Sequence, residues 1–159
     1  MRIRRARLED GADAIQVLRA SITQLCIDDH QNHADLLAPW LANKTIETFQ
    51  TWLENPERIL FVAVLGNSIV GIGMASTSGE VMLNYVAPNR RREGISSHML
   101  AALEQALFER GQSDLHLMST KTAHAFYQSR GWIDSGNPIE DAGMTSFPMR
   151  KVIRPELST

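Results

Sequence analysis

Three consecutive arginines, Arg90–Arg92, are followed by Glu93 and Gly94, where an apolar, strand-like run gives way to helix-like sequence. A helix that begins after such a loop presents unpaired backbone N–H groups and the positive end of its dipole beside the arginine charge. An anion such as a pyrophosphate binds well in that setting. The segment therefore predicts a site for a phosphorylated ligand, without saying which one.

Composition narrows the class of protein. The 159 residues are enough for one domain, 1–159, with its own core. A net charge of −2 argues against a nucleic-acid binder, so the arginine cluster is a local feature. Cys26 is the only cysteine, and no signal peptide or apolar run near the ~20 residues of a membrane span is present. We expect a cytoplasmic protein without membrane or nucleic-acid partners.

The first third of the chain predicts a short strand and two helices. The strand lies about Ile3, and the first helix, capped by Asp10 or Asp13, buries Ile15, Leu18, Ile22 and Leu25. A polar stretch, 28–33, follows as a loop. The second helix begins at Thr45, ends at Asn55-Pro56, and is expected to bury Ile46, Phe49, Trp52 and Leu53.

The remainder predicts a sheet with helical crossovers. Runs 59–65 and 69–76, joined by Gly66-Asn67, read as a hairpin, and 81–86 as a third strand. A helix from Gly94 to about Gly111 carries the apolar stripe Ile95, Met99, Leu103 and Leu107. A strand at 115–118, a helix at 121–130 and two closing strands near 132–135 and 145–152 complete a mixed α+β (α/β) sheet.

Two motifs then point to a family. Arg91-Arg92-Glu93-Gly94-Ile95-Ser96 has the form of the acyl-CoA loop [Q/R]-x-x-G-x-[G/A], with Ser96 in place of the last small residue. Residues 123–132, AHAFYQSRGW, resemble the A-x-x-F-Y-x-x-x-G-F signature of the GCN5-related N-acetyltransferases (GNAT), and Tyr127 follows Arg92 by the family's interval of 35 residues. The chain is identified as resembling this family over nearly its whole length.

The resemblance implies a GNAT-like acyl-CoA N-acyltransferase fold, with a central, mostly antiparallel sheet flanked by helices, and acetyl-CoA as cosubstrate. The Val86 backbone would bond the pantetheine amides. Family members often have an Asn that contacts the pantetheine arm seven residues before the Tyr, and this chain has Thr120 at that position. The residues implied for cofactor binding are Tyr85, Val86, Arg91, Arg92, Glu93, Gly94, Ile95, Ser96, Ser97, Thr120, Ala123 and Phe126.

The resemblance also implies catalytic roles. Tyr127 would protonate the departing CoA sulfur or hydrogen-bond to it. Glu80, eleven residues before Arg91, has a spacing similar to that of the catalytic Glu of histone-type members and would deprotonate the acceptor amine. The alternatives are a water chain as base, and Glu80 as a solvated residue beside a turn.

The acceptor is not written in these motifs. A small-molecule amine or a peptide amine would bind against the first helices, their loop about 30–40 and the last hairpin, and Trp40, Leu41 and Trp52 suggest some apolar character. His30 and His33 would lie in a polar loop over this site, no metal is expected, and Cys26 is expected to be buried. A homodimer is typical of such proteins. A non-catalytic acyl-CoA sensor and a member acting on aminoacyl-tRNA are the alternatives.

Overall fold

Eight strands form the centre of the computed structural model, which describes residues 1–154. They are β1 Arg2–Arg5, β2 Arg58–Leu65, β3 Ser68–Ser76, β4 Glu80–Val86, β5 Asp114–Ser119, β6 Ile133–Asp134, β7 Ile139–Asp141 and β8 Met144–Val152. Hydrogen-bonded neighbours follow one another across the sheet in the order β1-β2-β3-β4-β5-β8-β6, and β7 pairs with β8. Every neighbouring pair is antiparallel except β4 and β5, which are parallel, so the predicted mixed, mostly antiparallel sheet is confirmed.

Within the described residues, six α-helices accompany the sheet: α1 Gly11–Leu25, α2 Ile27–His30, α3 Ala34–Ala42, α4 Ile46–Glu54, α5 Ile95–Glu109 and α6 Lys121–Ser129. The apolar stripe of α1 packs on one face of the sheet with Phe49 of α4, and the stripe of α5 packs on the other. α5 lies very close to β3, because a Cβ on Gly73 would be only 2.5 Å from the Met99 sulfur. The sheet is thus covered on both faces.

A bulge in β4 changes which face its side chains occupy. Met74 pairs with Leu83 and Ala75 pairs with Val81, so Met82 is an extra residue. Val81 consequently packs in the core beneath α5, whereas Leu83 packs against the core beneath α1.

Just beyond this bulge the two parallel strands separate. β4 and β5 are paired only at Glu80 with His116 and at Val81 with Leu117. From residue 82 to Val86, β4 keeps its pairing with β3 on one edge and has no strand beside it on the other, within residues 1–154. This V-shaped opening leaves main-chain N–H and C=O groups available to a ligand.

The region between α1 and α4 differs from expectation. The predicted loop contains two helices, α2 and α3, and α3 was missed because it includes Pro39 and has no side-chain N-cap. Asp10 caps the short 3-10 turn before α1 by accepting from the Arg7 N–H, 2.7 Å away, and not α1 itself. Ile46, predicted to be buried, is 43% exposed. The short strand β7 was not predicted.

Candidate functional site

A cavity of about 520 Å³ occupies the opening between β4 and β5, a volume within the usual range for ligand pockets. The start of α5, the length of α6 and the C-terminal end of α1 close its remaining sides. All the predicted site residues line it except Glu80 and Glu93. Those that do are Tyr85, Val86, Arg91, Arg92, Gly94, Ile95, Ser96, Ser97, Thr120, Ala123, Phe126 and Tyr127.

The loop before α5 forms one end of this cavity. Arg92 and Gly94 both adopt left-handed backbone conformations, with φ of 70° and 83°. Gly94 is the N-cap of α5 and has no side chain to occupy the helix's first N–H groups. A concave run of N–H groups of this kind, at the positive end of a helix dipole, is suited to phosphate oxygens.

The arginine charges around the loop are divided between two uses. Arg90 lies 3.6 Å from the carboxylate of Glu93, on an exposed surface; Arg90 also lines the cavity, whereas Glu93 does not. Arg91 and Arg92 line the cavity and make no ion pair with any residue of the described range 1–154. Their charge is therefore directed to whatever the cavity binds.

Tyr127 lies on α6, and only 7% of the residue is exposed. Its ring makes edge contacts with Phe126 and Trp132, at centroid distances of 5.3 and 6.1 Å. Burial raises the pKa of Tyr127 to about 12, with the Asn84 side chain acting in the opposite direction. The phenol is therefore protonated at neutral pH and can donate a hydrogen bond.

Tyr85 is the second tyrosine of the cavity wall, and burial likewise raises the pKa of its phenol. It packs against the core beneath α1, on the face opposite α5. Its neighbour Val86 packs on the α5 face, and the two are the last residues of the unpaired edge of β4.

Asn84 is a site residue that the sequence analysis did not identify. Its amide nitrogen donates to the Ser96 carbonyl at 3.1 Å, which ties β4 to the first turn of α5. Its Oδ1 atom is buried and has no hydrogen-bond partner in residues 1–154, and the side chain lines the cavity. A buried acceptor without a partner is costly unless a ligand supplies a donor. The sequence feature that could have identified Asn84 is that it is the one amide side chain in the largely apolar run 81–86.

The N-terminus of α6 is held by two side chains. Thr120 accepts a hydrogen bond from the Ala123 N–H at 3.1 Å, so the residue that replaces the family's Asn is a helix cap. The carboxylate of Asp29, on α2, accepts from the Lys121 N–H at 2.7 Å and from the Thr122 N–H and hydroxyl at 3.2 and 2.6 Å. Asp29 was also missed, because nothing in the sequence links it to residues about ninety positions later.

The C-terminal end of α1 supplies a wall that the motifs did not predict, formed by Ser21, Leu25 and Cys26. Cys26 is buried, as expected. Burial raises the pKa of its thiol to about 12, and the nearby negative charge of Asp29 contributes in the same direction. The group is a neutral thiol, not an activated nucleophile.

Two predicted positions lie elsewhere. Glu80 is partly buried at the paired start of β4, between Ser76 and His116, and does not line the cavity. The prediction for His30 was wrong: it is fully buried in α2, where Nε2 donates to the Ile22 and Thr23 carbonyls and Nδ1 accepts from the Asn32 N–H. Its ring binds carbonyls near the C-terminal end of α1 and does not line the cavity, whereas His33 is exposed.

Residues 1–154 contain neither a cluster of metal ligands nor a membrane-spanning helix. No group of three or more His, Cys, Asp or Glu side chains comes together in a way that could hold a metal ion. None of the described helices combines the length and apolar character needed to cross a bilayer.

Both the sequence and the fold of this chain are similar to those of known acetyltransferases. The acetyltransferase (GNAT) domain family matches residues 28–153, and no curated protein matches the chain in a sequence search. Similar structures include a GCN5-related N-acetyltransferase from Rhodopseudomonas palustris, with a TM-score of 0.85 and 23% identity over 96% of this chain and 95% of that one.

Two further structures extend the likeness. The PaiA N-acetyltransferase of Thermoplasma acidophilum, solved in complex with coenzyme A, has a TM-score of 0.82 and 17% identity over 96% of this chain and 98% of its own. The aminoglycoside 6'-N-acetyltransferase of Enterococcus faecium has a TM-score of 0.67 and 18% identity over 99% and 100%. The family match spans most of the sequence and the fold agrees with it, so the chain belongs to the GNAT family of acetyltransferases.

Proposed function

We propose that the protein is an N-acetyltransferase that moves the acetyl group of acetyl-CoA directly to an amine bound in the same complex. The observation that carries the proposal is the arrangement of one cavity. An anion-binding loop lies at one end, a strand edge with free main-chain groups runs along it, and a buried, protonated phenol lines it. A pyrophosphate, a diamide arm and a thioester sulfur require these three features in that order.

The residues present fit coenzyme A. The N–H groups of Ile95, Ser96 and Ser97, together with Arg91 and Arg92, would hold the pyrophosphate, since left-handed Gly94 leaves those N–H groups uncovered. The Val86 main chain would pair with the pantetheine amides as a replacement for the missing strand.

Transfer then proceeds by nucleophilic attack. The neutral acceptor nitrogen bonds to the thioester carbonyl carbon, a tetrahedral oxyanion forms, and the C–S bond breaks with its electron pair on sulfur. Of the two protons that the original ammonium loses, one ends on the departing sulfur and the other in solvent. The protein contributes by positioning the reactants and polarising them.

The pKa of Tyr127 refines its role. With a value of about 12, the phenol is a weaker acid than a thiol, whose reference pKa is about 8.5. Complete proton transfer to sulfur is therefore uphill by about 3.5 units, or about 5 kcal/mol. We infer that Tyr127 acts mainly as a hydrogen-bond donor that stabilises the sulfur's developing negative charge.

Proton removal from the acceptor belongs to the same proposal. An alkylammonium with a pKa near about 10 must lose a proton before it attacks. Because Glu80 does not line the cavity, its carboxylate can receive this proton only through intervening water. Glu80 and a water chain are thus one route in this proposal, with Glu80 at its outer end.

The acceptor is proposed as an amine of a small molecule or a peptide. One structural neighbour is an aminoglycoside acetyltransferase, which is an example of a small-amine acceptor in this fold. We propose a cytoplasmic location for the activity, and a homodimer remains a prediction.

A thiol-release assay tests the proposal. Acetyl-CoA is incubated with a panel of amino acids, polyamines, aminoglycosides and peptides, and free CoA is measured for wild type and for Gly94→Glu. Release above background with at least one amine, lost in the variant, is expected. Tight acetyl-CoA binding by wild type without release from any amine would replace the enzyme with the acyl-CoA sensor.

A further inference from the structure

Asp29 is a buried acid that the proposed chemistry does not use. Only 4% of the residue is exposed, and its carboxylate forms no salt bridge with any residue of 1–154. Burying a carboxylate without a partner is strongly unfavourable. Here the compensation comes from the N-terminus of another helix.

Three hydrogen bonds reach the carboxylate, one at Oδ1 and two at Oδ2. Oδ1 accepts from the Lys121 N–H at 2.7 Å, and Oδ2 accepts from the Thr122 N–H at 3.2 Å and its hydroxyl at 2.6 Å. With Thr120 bonded to the Ala123 N–H, the first three amides of α6 are all satisfied by side chains. Asp29 also places a negative charge at the positive end of the helix dipole.

The helix fixed in this way is the one that carries Tyr127. Tyr127 follows Thr122 by five positions, a distance of about 7.5 Å along the axis of an α-helix. A tilt of about 8° about the N-terminus would therefore move the phenol by about 1 Å, and a misplacement of that size costs about 100-fold in rate. The nine residues of α6 give it little stability of its own.

From this geometry we propose that Asp29 is a positioning residue that sets the Tyr127 hydroxyl at the reacting sulfur, by fixing α6 to α2; the catalytic part of this inference rests on the proposed function. The link also joins two parts of the cavity wall. α2 follows directly from Cys26 at the end of α1, and Cys26 and Tyr127 both line the cavity. Loss of the carboxylate should leave the arginine loop unaffected, because that loop belongs to α5.

Three variants test the assignment. Asp29→Ala removes all three contacts. Asp29→Asn keeps the shape, an oxygen for the Lys121 N–H and an amide that can donate to the Thr122 hydroxyl, and it loses only the acceptor for the Thr122 N–H. Asp28→Ala is the matched control, since Asp28 lies on the same short helix, is exposed, and makes no side-chain hydrogen bond to residues 1–154.

Steady-state kinetics give the first readout. Asp29→Ala should lower kcat by about 10- to 100-fold with the KM for acetyl-CoA changed by less than about threefold, Asp29→Asn should recover most of kcat, and Asp28→Ala should match wild type. A general packing defect would instead lower activity in proportion to the unfolded fraction, which thermal melts measure. Equal losses in Asp29→Ala and Asp29→Asn, or a kcat for Asp29→Ala within about threefold of wild type, would overturn the proposal.

Amide hydrogen exchange measured by NMR gives a readout that needs no turnover. Asp29→Ala should accelerate exchange at Lys121 and Thr122 by about tenfold or more and shift the Tyr127 ring resonances, while Asp28→Ala should do neither. Unchanged exchange at both amides would refute the hold on α6. If wild type releases no CoA with any amine, the proposed function fails on its own, and the exchange measurement still decides whether Asp29 positions Tyr127.

Discussion

Replacement of Tyr127 by Phe removes one hydroxyl and keeps the ring. The ring contacts with Phe126 and Trp132 remain, so the free energy of unfolding should change by less than about 1 kcal/mol. The hydroxyl is needed only as charge develops on sulfur, so its loss should act on the transition state and not on binding. We expect kcat to fall by about 100-fold, or about 2.7 kcal/mol, with the KM for acetyl-CoA nearly unchanged.

The pH dependence gives an independent check on the same residue. With a pKa of about 12, only about one phenol in a thousand is ionised at pH 9, whereas an ordinary tyrosine would be about one-tenth ionised. Wild-type kcat should therefore show no descending limb from this group below about pH 10. The assay is CoA release at saturating substrates from about pH 7 to 10, in wild type and Tyr127→Phe.

Two results would refute this reasoning. A Tyr127→Phe variant with kcat within about twofold of wild type would remove the phenol from the mechanism. A wild-type limb with a midpoint near about pH 10 that disappears in Tyr127→Phe would show that burial does not raise the pKa as described. The raised pKa also predicts that stability falls above about pH 10, where the unfolded chain ionises first. The fall should be smaller in the variant, in which only Tyr85 and Cys26 retain pKa values raised by burial.

Three further predictions concern other residues. Gly94→Glu should weaken acetyl-CoA binding at least about 100-fold by calorimetry, because it places a carboxylate and a strained φ of 83° at the anion loop; retained affinity would contradict the loop assignment. Asn84→Leu should raise the KM for acetyl-CoA about tenfold, since it removes the unpartnered acceptor and the bond to Ser96; an unchanged KM would reduce Asn84 to a packing residue. The Arg4 hydrogen bond lowers the pKa of Asp10, so this carboxylate stabilises the fold above its unfolded value of about 3.9 and ceases to do so as pH falls through its lowered pKa. Asp10→Asn should cost about 1–3 kcal/mol in urea denaturation at pH 7 and much less at low pH, and equal losses at both would show that the charge is not the cause.

The second half of the chain was predicted well because its signals are local. The apolar stripe from Ile95 to Leu107 and the turn at Gly66-Asn67 each specify one element within a few residues. The arginine loop is also local, since Gly94 and the helix it starts provide the site by themselves. For the same reason, nearly all the residues predicted to bind the cofactor line one cavity.

The first half was predicted less well because its structure depends on partners distant in sequence. α2 is a single turn, too short for any periodicity to reveal. Its last two residues are buried, where His30 binds the end of α1 and Asp29 binds the start of α6. Glu80 shows what spacing alone leaves open: the register with Ser76 and His116 puts it outside the cavity, so its role as a base stays a prediction that requires intervening water.

The sequence alone therefore determined that an anion-binding loop precedes a helix, that a tyrosine follows at the family's interval, and that the sheet is mixed. These features follow from short-range periodicity and glycine conformation. Only the tertiary structure decided that β4 and β5 separate after Val81, that burial raises the pKa of Tyr127 to about 12, and that Asp29 holds the helix of Tyr127. Those properties arise from strand register, desolvation and a hydrogen bond spanning 92 residues, which exist only once the chain has folded.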